Sequence, residues 1–219
     1  HAMDGPWPWP NISHNQSLSK VPDDAVVIAD GLLWPGLQPE ERRGLCARCR
    51  VWVVVHSLFD KGEEYLVLSG VFSDGDGDFR AGSYVRNPPG SKHAPFTEDG
   101  CIIFVKLRQF RDDDQETVHK HIEEVSFEET EVGGVSRALL FQNRNETVVV
   151  ESFSPGTIWE NRHGSGGEEI FVIEGRLLYG DFECGPGTWL RFPPGQELSI
   201  KSPSGCRLWV KRGHLKHAS

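Results

Sequence analysis

The chain has 219 residues with 24 Gly and 14 Pro, a length that suits one large domain or two of about 100 residues each. Its formal net charge is −9 without a basic block, which disfavours nucleic-acid binding because little phosphate could be neutralised. No apolar run approaches the roughly 18–20 residues needed to span a bilayer, and no charged start leads into an apolar leader, so no membrane partner and a cytoplasmic location are expected.

His1-Ala2-Met3 reads as a cloning scar, Met3 being the only Met. Residues 1–20, with Trp7-Pro8-Trp9-Pro10, read as an extended arm. Cys46-x-x-Cys49 lacks a second Cys pair, so chance proximity outweighs a zinc or redox site. Five Cys without a framework spacing (Cys46, Cys49, Cys101, Cys184, Cys206) point to a reducing compartment. In that setting the sequons at Asn11, Asn15 and Asn145 are coincidental.

Branched and aromatic runs follow: Val51–Val55, Tyr65–Leu68, Cys101–Leu107, Thr147–Phe153, Glu169–Ile173 and Arg207–Val210. They are short and bounded by Gly and Pro, the mark of strands joined by tight turns. Asp74-Gly75-Asp76-Gly77-Asp78 resembles the start of a calcium loop but lacks the distal Glu, and reads as a hairpin turn. Arg111–Thr117, with Asp112-Asp113-Asp114, reads as a solvated linker, and His119-x-His121 after it as an exposed strand or loop. Neither a Ser nucleophile motif nor a phosphate-binding Gly loop is present.

The chain repeats itself at a shift of 105 residues. Gly62-Glu63-Glu64 recurs as Gly167-Glu168-Glu169, Gly70 as Gly175, Gly82 as Gly187, and Arg86 as Arg191. Pro88-Pro89-Gly90 recurs as Pro193-Pro194-Gly195, Gly100-Cys101 as Gly205-Cys206, and Val105-Lys106 as Val210-Lys211. Most of these residues fix turns, so the halves share a backbone plan. The expected fold class is all-β: two tandem jelly-roll-like antiparallel barrels from internal duplication, one over residues 21–112 and one over 113–219.

At these residues the sequence resembles the cupin superfamily, in its ChrR-like branch, which contains anti-sigma-factor cupin domains and relatives of acetylacetone dioxygenases. Gly82, Pro88, Gly90 and His93 match the second cupin motif in register, with Thr97 at its Asn position. Glu63 with Gly70, and Glu168 with Gly175, match the end of the first motif. The resemblance implies one divalent metal (iron, zinc, manganese or nickel) in the barrel mouth, held by His-x-His, the motif Glu and the later His.

The first-motif histidines of this branch stand six and four residues before the Glu. Those positions hold Ser57 and Phe59 in the first half, and Arg162 and Gly164 in the second, while Leu198 stands opposite His93. His56 and His163 lie nearby, and a bulge would bring either inward. The remaining metal set is therefore His56, Glu63 and His93, with a weaker second site of His163 and Glu168. No metal at all is the alternative if the sites are degenerate. Catalytic residues beyond the ligands are unassigned. Two functions follow from the resemblance: a metal-dependent dioxygenase acting on a small dicarbonyl-like molecule, or a regulatory, ligand-sensing cupin without turnover. A small-molecule ligand is expected either way, and a homodimer is plausible through barrel edge strands. Sigma-factor binding is disfavoured because the His/Cys signature of an anti-sigma domain is missing.

Overall fold

The computed structural model describes residues 25–28, 62–91, 95–97, 100–107, 109–163 and 165–217, with the backbone alone at 25–28, 107, 161, 163, 216 and 217. These residues form an all-β structure of antiparallel sheets. One 3-10 turn, His214–His217, follows the final strand. Among the described residues no helix is long and apolar enough to cross a membrane.

The chain divides into two compact units, one over Ser19–Glu124 and one containing Val125–Ser219. The first carries β1 (Ala25–Ile28), β2 (Glu63–Asp74), β3 (Gly77–Arg80), β4 (Ser83–Asn87), β5 (Cys101–Leu107) and β6 (Val118–His121) in one sheet. The order is β1-β5-β2-β4-β6, with β3 folded back on the end of β2. The Asp/Gly segment 74–78 makes the β2–β3 turn. Its core on one face is Tyr65, Val67, Phe79, Val85, Ile103 and Val105.

The second unit is a sandwich. A six-stranded sheet runs β14 (Trp189–Phe192), β11 (Glu168–Gly175), β16 (Cys206–Arg212), β9 (Thr147–Phe153), β8 (Val135–Gln142) and β7 (Glu128–Glu129). A four-stranded sheet runs β10 (Thr157–His163), β15 (Glu197–Ser202), β12 (Leu177–Tyr179) and β13 (Phe182–Cys184). The core is built from both sheets: Val149, Ile170, Val172, Leu208 and Val210 from the larger one, and Trp159, Leu177, Leu198 and Ile200 from the smaller. Alternate residues of each strand supply it, as pleated strands require.

The repeat extends to irregularities of the backbone. β2 and β11 each shift register against their partner strand, between Val67 and Ser69 and between Val172 and Glu174. Two residues past each bulge stand Gly70 and Gly175, with φ of 73° and 79°. A Cβ there would lie 2.2 Å from the carbonyl oxygen of Gly100 or Gly205, so no other residue fits. A polar row is duplicated as well. Arg86, Glu64 and Lys106 are register neighbours across β4, β2 and β5, as Arg191, Glu169 and Lys211 are across β14, β11 and β16.

Segment 113–124 contains β6, which pairs with β4 of the first unit. One expectation needs correcting: the acidic segment is not wholly solvated. Asp112 and Asp113 are exposed, but Asp114 receives the guanidinium of Arg86, Nη2 to Oδ2 at 2.9 Å. Arg86 is 1% exposed and needs an opposite charge beside it.

Candidate functional site

Three of the four places that the resemblance assigns to metal ligands come together in the second unit; the fourth, Gly164, lies outside the described residues. Arg162 holds the place of the first motif His, Glu168 that of the Glu, and Leu198 that of the later His. Arg162 and Leu198 face each other in the β10–β15 register. Arg162 then reaches across the sandwich to Glu168, the first residue of β11. Its Nε donates to Glu168 Oε1 at 3.0 Å and to Oε2 at 2.9 Å, and its Nη2 donates to Oε1. On the other side Nη1 approaches Glu151 Oε2 at 2.7 Å, an ion pair whose angles miss hydrogen-bond geometry. The flat guanidinium lies over the Trp159 ring, 4.4 Å from its centroid.

Arg137 of β8 and Arg212 of β16 complete this network. They lie on the strand faces that carry Val135 and Val210 into the core, so all five charged groups point inward. Arg212 donates from Nε to Glu168 Oε1 at 2.8 Å and from Nη2 to Glu151 Oε1 at 2.7 Å. Arg137 Nε donates to Glu151 Oε1 at 3.0 Å. Glu151, Glu168 and Arg162 have between 0% and 2% of their surface exposed. Burial opposes ionisation of Glu151, but Arg162, Arg212 and Arg137 outweigh it and hold the carboxyl at about 2. Burial likewise disfavours a charged Arg162, and the two carboxylates reverse that too.

In the first unit Glu63 begins β2 as Glu168 begins β11. It is 4% exposed and lies on the face of Tyr65 and Val67. Its Oε1 accepts a hydrogen bond from Asn87 Nδ2 at 2.8 Å. The positions matching Arg162, Phe192 and Arg212 by the 105-residue shift are Ser57, Asn87 and Leu107, so none of the three supplies a cation. Two residues on, Tyr65 is 1% exposed and its hydroxyl has no hydrogen-bond partner among the described residues. Burial, followed by the charges of Asp74 and Glu63, raises its pKa far above the ordinary phenol range, so the hydroxyl keeps its proton. Glu64, on the other face, accepts from the Tyr84 hydroxyl and pairs with Arg86 at 3.7 Å.

His56 and His93 lie outside the described residues, as do Cys46, Cys49 and the Trp7–Pro10 arm. For His163 the backbone alone is described, paired with Glu197. Among the described residues no three His, Cys, Asp or Glu side chains gather as metal ligands. His121, expected to be exposed, is buried: its Nε2 lies 2.9 Å from the Ala81 carbonyl oxygen and its ring abuts Gly82. His119 is exposed, with its ring edge-on to Phe79. Cys206 is buried beside Ser202, and burial pushes its thiol up to about 11. The matching Cys101 beside Thr97 is only partly buried. Sequence reasoning missed Glu151, Arg137 and Arg212. Their one signal is a charge at an inward position of an apolar strand.

The ChrR cupin-like domain family matches residues 56–111 and 115–216. The chain belongs to that family. Comparison with curated proteins finds no sequence match. Among solved structures, this cupin chain is similar to a candidate dioxygenase from Nostoc punctiforme at 14% identity and a TM-score of 0.61, covering 71% of this chain and 63% of that one. It is similar to a candidate glyoxylate-induced protein from Pseudomonas aeruginosa at 12% identity and a TM-score of 0.63, covering 75% and 70%. A cupin 2 barrel protein from Leptotrichia buccalis matches at 12% identity and a TM-score of 0.50, covering 77% and 80%. These likenesses show a shared fold, and the two segments matched by the family give the two cupin repeats.

Proposed function

We propose that the first barrel is the functional one, a metal-binding cupin centre with oxygenase-type activity on a small dicarbonyl-like molecule. Its ligands are His56, Glu63 and His93, around one divalent metal. The observation that carries this reading is Glu63. It is a buried, inward carboxylate at the place where, in the second barrel, the family's ligand positions come together. The matching positions in the first barrel supply a His at 93 and no arginine at 57, 87 or 107.

For His56 to join them its strand must bulge, because strict alternation from Ser57 points His56 to the opposite face.

Two histidines and a carboxylate leave open positions on iron, which when bound supplies a redox-active Lewis acid. The chain's own groups do the rest. Asn87 fixes the Glu63 carboxylate, the apolar wall of Val67, Val85, Ile103 and Val105 excludes water, and Tyr65 offers a protonated hydroxyl to a ligand oxygen.

A ligand-sensing cupin without turnover is the second reading. It is favoured by the second barrel, where Arg162 and Leu198 fill ligand places. Elemental analysis of untagged protein tests both readings, alongside His93→Ala and oxygen uptake with a panel of small dicarbonyls. About one metal per chain, lost in the variant, together with oxygen uptake, supports the enzyme. Ligand binding without uptake supports the sensor. Protein that refuses iron, zinc, manganese and nickel sinks the metal-centred reading.

A further inference from the structure

We infer that Arg162 is the resident cation of the second barrel: its guanidinium takes the place a metal would take beside Glu168 and keeps metal ions out. The inference is independent of what the first barrel binds.

Three observations carry it. The first is position. Arg162, Glu168 and Leu198 hold three of the family's four ligand places, the fourth falling on Gly164, which has no donor side chain, and the three come together as an ion pair beside an apolar side chain, not as a donor set. Leu198 is 2% exposed within the core and donates nothing to an ion.

The second is occupancy of Glu168. Both its oxygens are engaged by Arg162, and Oε1 also by Arg212. A carboxylate offers about four lone-pair directions, and the guanidiniums use most of them.

The third is charge. Three arginines, of which Arg162 is buried and Arg137 and Arg212 are partly exposed, already face two fully buried carboxylates, leaving the cluster at net +1. A divalent ion entering there would meet guanidiniums on every side of the carboxylates: Arg162 between Glu168 and Glu151, Arg212 bridging both, and Arg137 on Glu151. To make room, Arg162 would have to leave its slot over Trp159, and no other anion among its described partners awaits it. His163 next to it does not alter this, because Glu168 would still have to exchange its guanidiniums for the ion.

The test is equilibrium dialysis of the full chain against Mn²⁺ or Zn²⁺ in a Glu63→Gln background, which silences the first barrel. The expected result is no bound ion in Glu63→Gln. Adding Arg162→Ala exposes two buried carboxylates to a missing cation, so about one ion per chain is expected, bound at least tenfold more tightly. Arg162→Lys in the same background keeps a charge in the slot and stays ion-free. It also covers the case in which the alanine variant does not fold. An ion bound by Glu63→Gln and lost in Glu63→Gln/Glu168→Gln overturns the inference, as does a folded Arg162→Ala variant that gains no ion. If the wild type itself binds nothing, the reading of the first barrel fails and this one stands.

Discussion

Asp114 reaches back from the connection after β5 to the buried guanidinium of Arg86, which also lies 4.2 Å over the ring of Phe110. One of three consecutive aspartates thus pairs with a buried guanidinium, whereas Asp113 pairs with the exposed Arg111. Asp114→Ala is expected to destabilise the first unit by about 2 kcal/mol, because it strips a buried cation of a partner while leaving Glu64 at 3.7 Å. Asp112→Ala and Asp113→Ala should stay within about 0.5 kcal/mol of wild type. Urea unfolding followed by tryptophan fluorescence separates the three. Equal effects would refute the assignment.

Removing Arg162 acts on the opposite sign of charge. Arg162→Met leaves Glu151 and Glu168 buried together and is expected to cost about 3–5 kcal/mol, the range for breaking a buried ion pair from one side. Replacing Glu168 as well, in Arg162→Met/Glu168→Met, removes one of the stranded charges and should recover part of the loss. Denaturant midpoints of the single and double variants measure the coupling.

Acid should strike the same cluster. Glu151 has its carboxyl lowered from 4.5 to about 2 in the folded chain. A group lowered on folding adds stability that is complete above its unfolded value and lost as the pH falls toward its folded value. The second unit should therefore lose stability between about pH 4.5 and pH 2. Glu151→Gln, less stable at neutral pH, should have a flatter profile through that window. Chemical denaturation at intervals of pH decides it, and parallel profiles would count against the charge network.

Tyr65→Phe is expected to leave the ligand-free chain as stable as wild type, or to stabilise it by about 1 kcal/mol, because the hydroxyl is buried without a partner among the described residues. If that hydroxyl serves a ligand, the same variant weakens binding of an active dicarbonyl by about tenfold while retaining the metal. Thermal midpoints and ligand titration of the metal-loaded protein give the two readouts.

The fold was legible because its signals are local. Gly70, Gly82 and Pro88-Pro89-Gly90 recur at a constant shift, and glycine and proline fix turns whatever surrounds them. The place of Glu63 and Glu168 was legible for the same reason. What could not be read depends on partners distant in sequence. Asp114 looked solvated among its neighbours because Arg86 lies 28 residues away. His119-x-His121 looked like a loose strand because its pairing with β4 depends on an edge the local pattern does not reveal. Arg162 was visible at a histidine's place. That it satisfies Glu168 and Glu151 follows only once β9, β10 and β11 are brought together.

The duplicated row of Arg86, Glu64 and Lys106 against Arg191, Glu169 and Lys211 gives the chain an internal control. Its two halves keep the same residues at these positions and part company on the opposite side of the same strands, where Asn87 and Leu107 answer to Phe192 and Arg212. A single preparation therefore holds two versions of one barrel at equal concentration and in the same buffer. A spectroscopic or calorimetric signal that can be assigned to either half reports how this scaffold behaves with two different linings, without a second protein for comparison.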